Sequence, residues 1–402
     1  MSRRAWVVIG ALLVVAVALV VALVASWDRP TVSVPTVALQ TPPPPAGSTT
    51  PTVATVVLPM GHLADPANTF YELFDRSAGS PTWTLSTPPG VADNGGLVVG
   101  PSSGGVVTAG FLPSADLTFS VLATRAPGAS QWSPAELPGT LAAEPDGLAT
   151  GPAGQTAAVL SSTGTPVLAA GPGATTWHRL VSAAELTEAT GGCRVTRVSA
   201  VAVTTSGLPV VGARCTGADV GLFEPASPAT ASSPDLPAPG RWVRVGPSLG
   251  SSGVTATTVL RLQDDGPGVA GLVETSGAGR SSVVAVWDPA GGTATISAPL
   301  TVPTGWTVQA TATGGNAGPG LAVLLRGPAA SDVRLTTVAG PGGAWSSPGP
   351  PPAGTSAVAT VGDEVDAFVP AGAELRIWAA TGSGPWHRTA DLIVPIQYGS
   401  SS

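Results

Sequence analysis

Residues Gly147–Val181 read GLATGPAGQTAAVLSSTGTPVLAAGPGATTWHRLV. Thr156–Ser161 and Thr165–Ala170 are short apolar runs, Ser162–Gly164 and Gly171–Thr175 are turns, and a third run starts at Thr176. Runs of four to six residues separated by Gly, Pro and Ser predict antiparallel sheet. Sliding this template along the chain gives seven units, ending near Pro88, Leu137, Val181, Gly246, Leu300, Ser347 and Asp391. Each carries a glycine-rich turn before its last strand, and in six a tryptophan follows: Trp83, Trp132, Trp177, Trp242, Trp345 and Trp386. The fifth unit closes on Thr293–Pro299 without one, its Trp287 lying in the strand before, while Trp306 opens the sixth. A repeat of this length built from short strands predicts an all-β fold, a β-propeller of about seven blades. The irregular insert Pro225–Pro239 in the long fourth unit leaves six or eight blades open. The final run, Leu392–Tyr398, is expected to pair with the first unit and close the ring, removing open sheet edges. The recurring tryptophans are expected to pack between blades, since a buried indole covers roughly 150–250 Å².

Ahead of the repeats, Ala5–Ala25 is an uncharged run of 21 residues, preceded by Arg3 and Arg4. As a helix it spans about 31 Å, one hydrocarbon core. It is longer than the apolar region of a cleaved signal peptide, although Ala25 offers a small residue for cleavage. The division expected is therefore 1–28 cytoplasmic stub and single transmembrane helix, 29–52 a Pro/Thr-rich linker, and 53–398 the propeller outside the cytoplasmic membrane. Secretion is the outcome if the N-terminal segment is cleaved.

The chain has no lysine; all 17 basic residues are Arg, a coding bias of GC-rich genomes. Beyond Asp28, 15 Arg face 24 acidic residues, a net charge of −9, which disfavours nucleic acid as a partner. No basic patch stands out in the linear sequence. Cys193 and Cys215 are the only cysteines, and outside the cytoplasm they are expected to form a disulfide near the open end of a hairpin, 195–213. Closing that loop stabilises the fold by roughly 3 kcal/mol.

The glycine-turn-tryptophan element, as in Gly173-Ala-Thr-Thr-Trp177, resembles the Asp-box (BNR) repeat of sialidase-like propellers. The Gly and Trp positions match, the Asp and Ser positions do not, and no unit holds the full motif. The resemblance implies the propeller fold. It carries over no active-site residues, because the sialidase Phe/Tyr-Arg-Ile-Pro motif is missing and Tyr71 and Tyr398 are the only tyrosines. Asn68–Asp75 with Thr87–Gly96 is also similar to membrane-anchored or secreted actinobacterial proteins, a resemblance that names no activity.

Tests for chemistry give little. Gly246-Pro-Ser248-Leu-Gly250 has nucleophile-elbow spacing but lacks the helical context that motif needs. His178 and His387 occupy matching repeat positions, which places them on different blades and unable to share a metal; His62 stands apart. Acidic residues gather in the connections between blades, at Asp93, Glu144, Asp146, Glu185 and Glu188. With Asn94 they form the candidate binding face, Asp93, Asn94, Glu144 and Asp146, where hard oxygen ligands suit Ca²⁺ weakly; no other cofactor is expected. The leading reading is a non-catalytic binding or scaffold module for a cell-envelope protein or glycan. The alternatives are an envelope glycan hydrolase using two face carboxylates, and an assembly factor without a small ligand.

Overall fold

A computed structural model describes residues 52–394, apart from 62–68, 92–95, 102–103, 112–121, 136–144, 161–166, 175, 190, 192, 218, 227–239, 247–254, 278, 290–292, 314–319, 330 and 362. The expected anchor (5–25), nearly all of the linker and the segment 395–402 lie outside the described residues. Among the described residues no helix is long and apolar enough to cross a membrane.

The strands form seven separate antiparallel sheets in sequence order, one per blade. The first holds β1 (Thr52–Gly61), β2 (Thr69–Ser77) and β3 (Trp83–Leu85). The second holds β4 (Leu97–Pro101), β5 (Val107–Phe111), β6 (Leu122–Arg125) and β7 (Ser133–Ala135). The third has β8 (Gly147–Thr150), β9 (Thr156–Val159), β10 (Val167–Ala170) and β11 (Trp177–Val181), followed by the helix α1 (Ala183–Thr187). The fourth has β12 (Val195–Val203), β13 (Pro209–Cys215), β14 (Asp219–Pro225) and β15 (Trp242–Arg244). In the fifth, β16 (Thr255–Asp265), β17 (Gly268–Gly277) and β18 (Arg280–Asp288) are completed by β19 (Thr295–Ile296) and β20 (Leu300–Val302), both paired to β18. The sixth comprises β21 (Thr307–Thr313), β22 (Leu321–Arg326) and β23 (Val333–Val338), with Ser346 bridged to Thr337 in place of a fourth strand. The seventh comprises β24 (Ala357–Val361), β25 (Glu364–Ala371), β26 (Glu374–Thr381) and β27 (His387–Ile393).

Seven apolar clusters lie between the sheets, each drawing side chains from two neighbouring blades. Leu73 of the first blade meets Phe111 of the second, and Val211 of the fourth meets Val159 of the third. Val259 of the fifth meets Val210 of the fourth, and Leu325 of the sixth meets Leu272 of the fifth. One cluster joins the seventh blade to the first through Phe368, Ile377, Val56, Leu58 and Phe74. Every blade is thus buried on both faces by its neighbours, which explains the near-continuous burial of strands such as β9 and β10. This closed circuit settles the count at seven blades. The tryptophans join these clusters as expected: Trp83 and Trp242 are buried, and Trp132, Trp177, Trp345 and Trp386 pack at the margins.

Of the run expected to close the ring, 395–398 lie outside the described residues, and the described part pairs within the seventh blade and not with the first. Leu392 and Ile393 belong to β27, the fourth strand of the seventh blade, where Leu392 pairs with Leu375. They follow β27 because their alternating side chains continue its register, and the Val394 amide donates to Ala373 O at 2.7 Å. Val394 is buried against the first blade's β1 residues, so this end of the chain ties the two blades by packing. Arg76 of β2 adds an ion pair across the seam, with Nη1 at 2.5 Å from Glu364 Oε1 and 2.8 Å from Asp366 Oδ2. Trp83 Nε1 donates to the same Asp366 oxygen at 2.8 Å.

Candidate binding face

The two faces of the ring are assigned by hydrogen bonds between turns. Thr205, in the β12–β13 turn, donates through its amide and its hydroxyl to Gly266 O of the β16–β17 turn, at 3.1 and 2.6 Å. First-to-second-strand turns of adjacent blades therefore share one face. The opposite face carries the second-to-third-strand turns and the connections from one blade to the next. Of the acidic residues singled out from the sequence, Asp146, Glu185 and Glu188 are described and lie in those connections, so they belong to the second face.

Asp93, Asn94 and Glu144 fall outside the described residues. Asp146 is exposed just before β8, and its backbone amide donates to Val159 O at 2.8 Å. Among the described residues no group of three or more His, Cys, Asp or Glu side chains is placed to hold a metal ion.

Glu185 has a structural task that the sequence reading missed. Ser182 caps α1: its hydroxyl accepts from the Glu185 amide at 3.3 Å, and Glu185 Oε2 accepts from the Ser182 amide at 2.7 Å. The other carboxylate oxygen meets Arg179 Nη2 at 3.2 Å. Ser182-Ala-Ala-Glu185 is a capping box, a signal present in the sequence, and it opens the one helix of the described residues. Glu188 caps the other end and is exposed. Leu186 and Ala189 anchor the helix in the core between the third and fourth blades, and Thr187 Oγ1 accepts from the Val195 amide at 3.0 Å.

The connection ends in the disulfide Cys193–Cys215, Cα atoms 5.5 Å apart, as the hairpin predicted. It joins the start of β12 to the end of β13 on the connection face. Around it stand Arg194, Arg197 and Arg214, all exposed. Arg197 and Arg214 are direct partners in the β12–β13 register. The expectation of no basic patch is therefore corrected: residues 17 apart in sequence become neighbours through the hairpin.

Charged groups elsewhere are absorbed by blade interfaces. Glu72 of β2 accepts a hydrogen bond from the Thr87 hydroxyl, and burial raises its pKa to about 7 despite that bond. Burial also raises Asp288 to about 6, with the Glu224 charge pushing the same way. Asp366 rises to about 6, chiefly by burial, against the hydrogen bonds from Trp83 and Arg76. Arg261 reaches from β16 to Thr311 O at 3.3 Å, and burial lowers its pKa. His178 and His387 sit on the fourth strands of the third and seventh blades, as their repeat positions required. His62 and Ser248 fall outside the described residues.

Solved structures resemble the chain at low identity. The complex of YCF48 with a D1 peptide matches with 14% identity over 85% of this chain and 94% of that one, at a TM-score of 0.38. A protein from Lactobacillus plantarum matches with 13% identity over 86% and 97%, at 0.48. The SapL1 lectin in complex with alpha methyl fucoside matches with 15% identity over 75% and 96%, at 0.39. At this level of similarity none of them bears on what this chain binds. No protein-family model matches the chain, and no curated protein matches it.

Proposed function

We infer that the chain is a non-catalytic binding or scaffold module, tethered outside the cytoplasmic membrane, whose connection face engages a cell-envelope protein or glycan. The observation that carries this reading is the connection 182–194. A capping box, two buried anchors and a disulfide fix it in place on a rigid ring. A loop held rigid before binding loses little entropy on capture, the usual requirement for recognition.

The location draws on two further features. A disulfide persists in an oxidising compartment, and the apolar run 5–25 behind Arg3 and Arg4 would hold the chain to the membrane with its C-terminal part outside. Crosslinking in the native envelope, followed by identification of the captured protein or glycan, tests the reading. Capture should weaken when Asp93, Asn94, Glu144 and Asp146 are changed to Ala, with thermal stability retained. Hydrolysis of a glycan by the purified chain, lost on changing Asp93, Glu144 or Asp146 alone, would refute it in favour of a hydrolase.

A further inference from the structure

Six arginines of the described residues are paired with carboxylates: Arg76, Arg125, Arg179, Arg244, Arg376 and Arg388. Arg194, Arg197, Arg214 and Arg280 are different. All four are exposed, and among the described residues their side chains have no hydrogen bond or ion pair. All four also occur at the connection face of two adjacent blades. Arg194 precedes β12, Arg197 and Arg214 flank the open end of the β12–β13 hairpin, and Arg280 opens β18 just after the β17–β18 turn.

Side-chain direction concentrates the charge further. Val284 and Val286 of β18 point into the core shared with the fourth blade, so Arg280, in step with them, lies on that same side of its sheet. Val198 and Ala213 face the third blade, so the adjoining pair Arg197 and Arg214 faces the fifth. The three thus face the same interface between the fourth and fifth blades, from both sides. The acidic groups nearby are otherwise engaged. Glu185 binds Arg179, Asp219 binds Arg244, and Glu274 lies on the far side of its sheet, in step with Leu272. Two exposed carboxylates of the described residues, Glu188 at the end of α1 and Asp146 just before β8 of the third blade, add negative charge to this face.

Like charges directly opposite on neighbouring strands destabilise a sheet. In a protein of net charge −7, holding Arg197 against Arg214 without a carboxylate runs against the overall balance. The disulfide beside them keeps Arg194 and Arg214 from moving apart. We propose that this cluster is a docking site for a phosphate-bearing polyanion, which deepens the binding reading above and rests on it. Guanidinium forks pair with phosphate oxygens bidentately, and a tetrahedral phosphate accepts from several directions at once. That suits arginines arriving from separate backbone positions. A planar carboxylate is met along one edge, as Glu374 is by its neighbours Arg376 and Arg388. Arg280, on the adjacent blade and facing the same interface, extends the site to a second anionic group, hence a polymer.

Fluorescent inorganic polyphosphate titrated into the purified full chain tests this, with poly-L-glutamate of similar length as competitor. Polyphosphate should bind, with affinity falling steeply between roughly 50 and 200 mM salt. The double variant Arg197→Gln/Arg214→Gln should lose about tenfold or more in affinity and about two units of salt slope, at a melting temperature equal to or above the parent's. Arg388→Gln, on β27 of the seventh blade, should bind as the parent does. Absence of polyphosphate binding at low salt, or undiminished binding by the double variant, would overturn the proposal. So would tighter binding of poly-L-glutamate, which would make the site one for acidic polypeptides. If polyphosphate fails while envelope crosslinking still captures a partner, the binding reading stands and only the phosphate assignment falls.

Discussion

Glu72→Gln should make the protein more stable in mildly alkaline solution and leave it unchanged in acid. Glu72 sits on β2 opposite Leu58, with no ion-pair partner among the described residues, and the Thr87 hydroxyl is its hydrogen-bond donor. That hydroxyl is itself held by the Leu73 amide at 2.9 Å, so the arrangement is fixed. Burial raises the carboxyl from 4.5 to about 7. A shift of that size is worth about 3 kcal/mol between the two protonation states. Because the folded pKa lies above the unfolded one, the folded state binds the proton more tightly. The ionised group therefore costs the full amount above pH 7, and the cost vanishes as pH falls below 4.5. Glutamine keeps the shape and an acceptor for Thr87 but carries no charge. Urea unfolding of the full chain at pH 8.5 should show the variant about 2–3 kcal/mol more stable, allowing for partial water access. At pH 4.5 the two proteins should be within experimental error. Asp288 and Asp366 also titrate upward, so the parent alone would mix three groups; the difference between parent and variant isolates one. A variant equal to or weaker than the parent at pH 8.5 would refute the reasoning.

Asp366→Ala removes the acceptor shared by Trp83 and Arg76 at the seam between the first and seventh blades, and should cost about 3 kcal/mol by leaving Arg76 with Glu364 alone; thermal unfolding checks it. Gly100→Val should destabilise by about 1–3 kcal/mol, because a Cβ there lies 3.0 Å from the Ala149 backbone of the next blade and backbone cannot step aside. Replacing Cys193 and Cys215 together by Ser should cost roughly 3 kcal/mol in urea and raise amide exchange in the connection 182–194 first. Ending the chain at Thr389 deletes Leu392 and Val394 from the core between the seventh and first blades, so the truncated protein should aggregate or melt markedly lower; full stability would contradict the closure seen here.

The repeat of short apolar runs, Gly turns and tryptophans was enough to establish an all-β ring and place the ends of its units. The expected ends at Val181, Gly246 and Ser347 fall within two residues of β11, β15 and the Ser346 bridge. Such local signals survive because strand alternation and turn chemistry are properties of neighbouring residues. The disulfide was legible for the same reason, being set by one hairpin. What sequence spacing could not convey was anything made by strands meeting across blades. Leu392 and Ile393 read equally well as a closing strand or as the end of β27, and only the register against β26 chose between them. Seven rather than six or eight blades followed from the closed circuit of inter-blade cores. Glu185 looked like a free loop carboxylate until its bonds to Ser182 and Arg179 were placed. The arginine cluster was least visible of all. Its members are scattered from Arg194 to Arg280 in an acidic chain, and they converge only because two sheets pack face to face with their connection ends together.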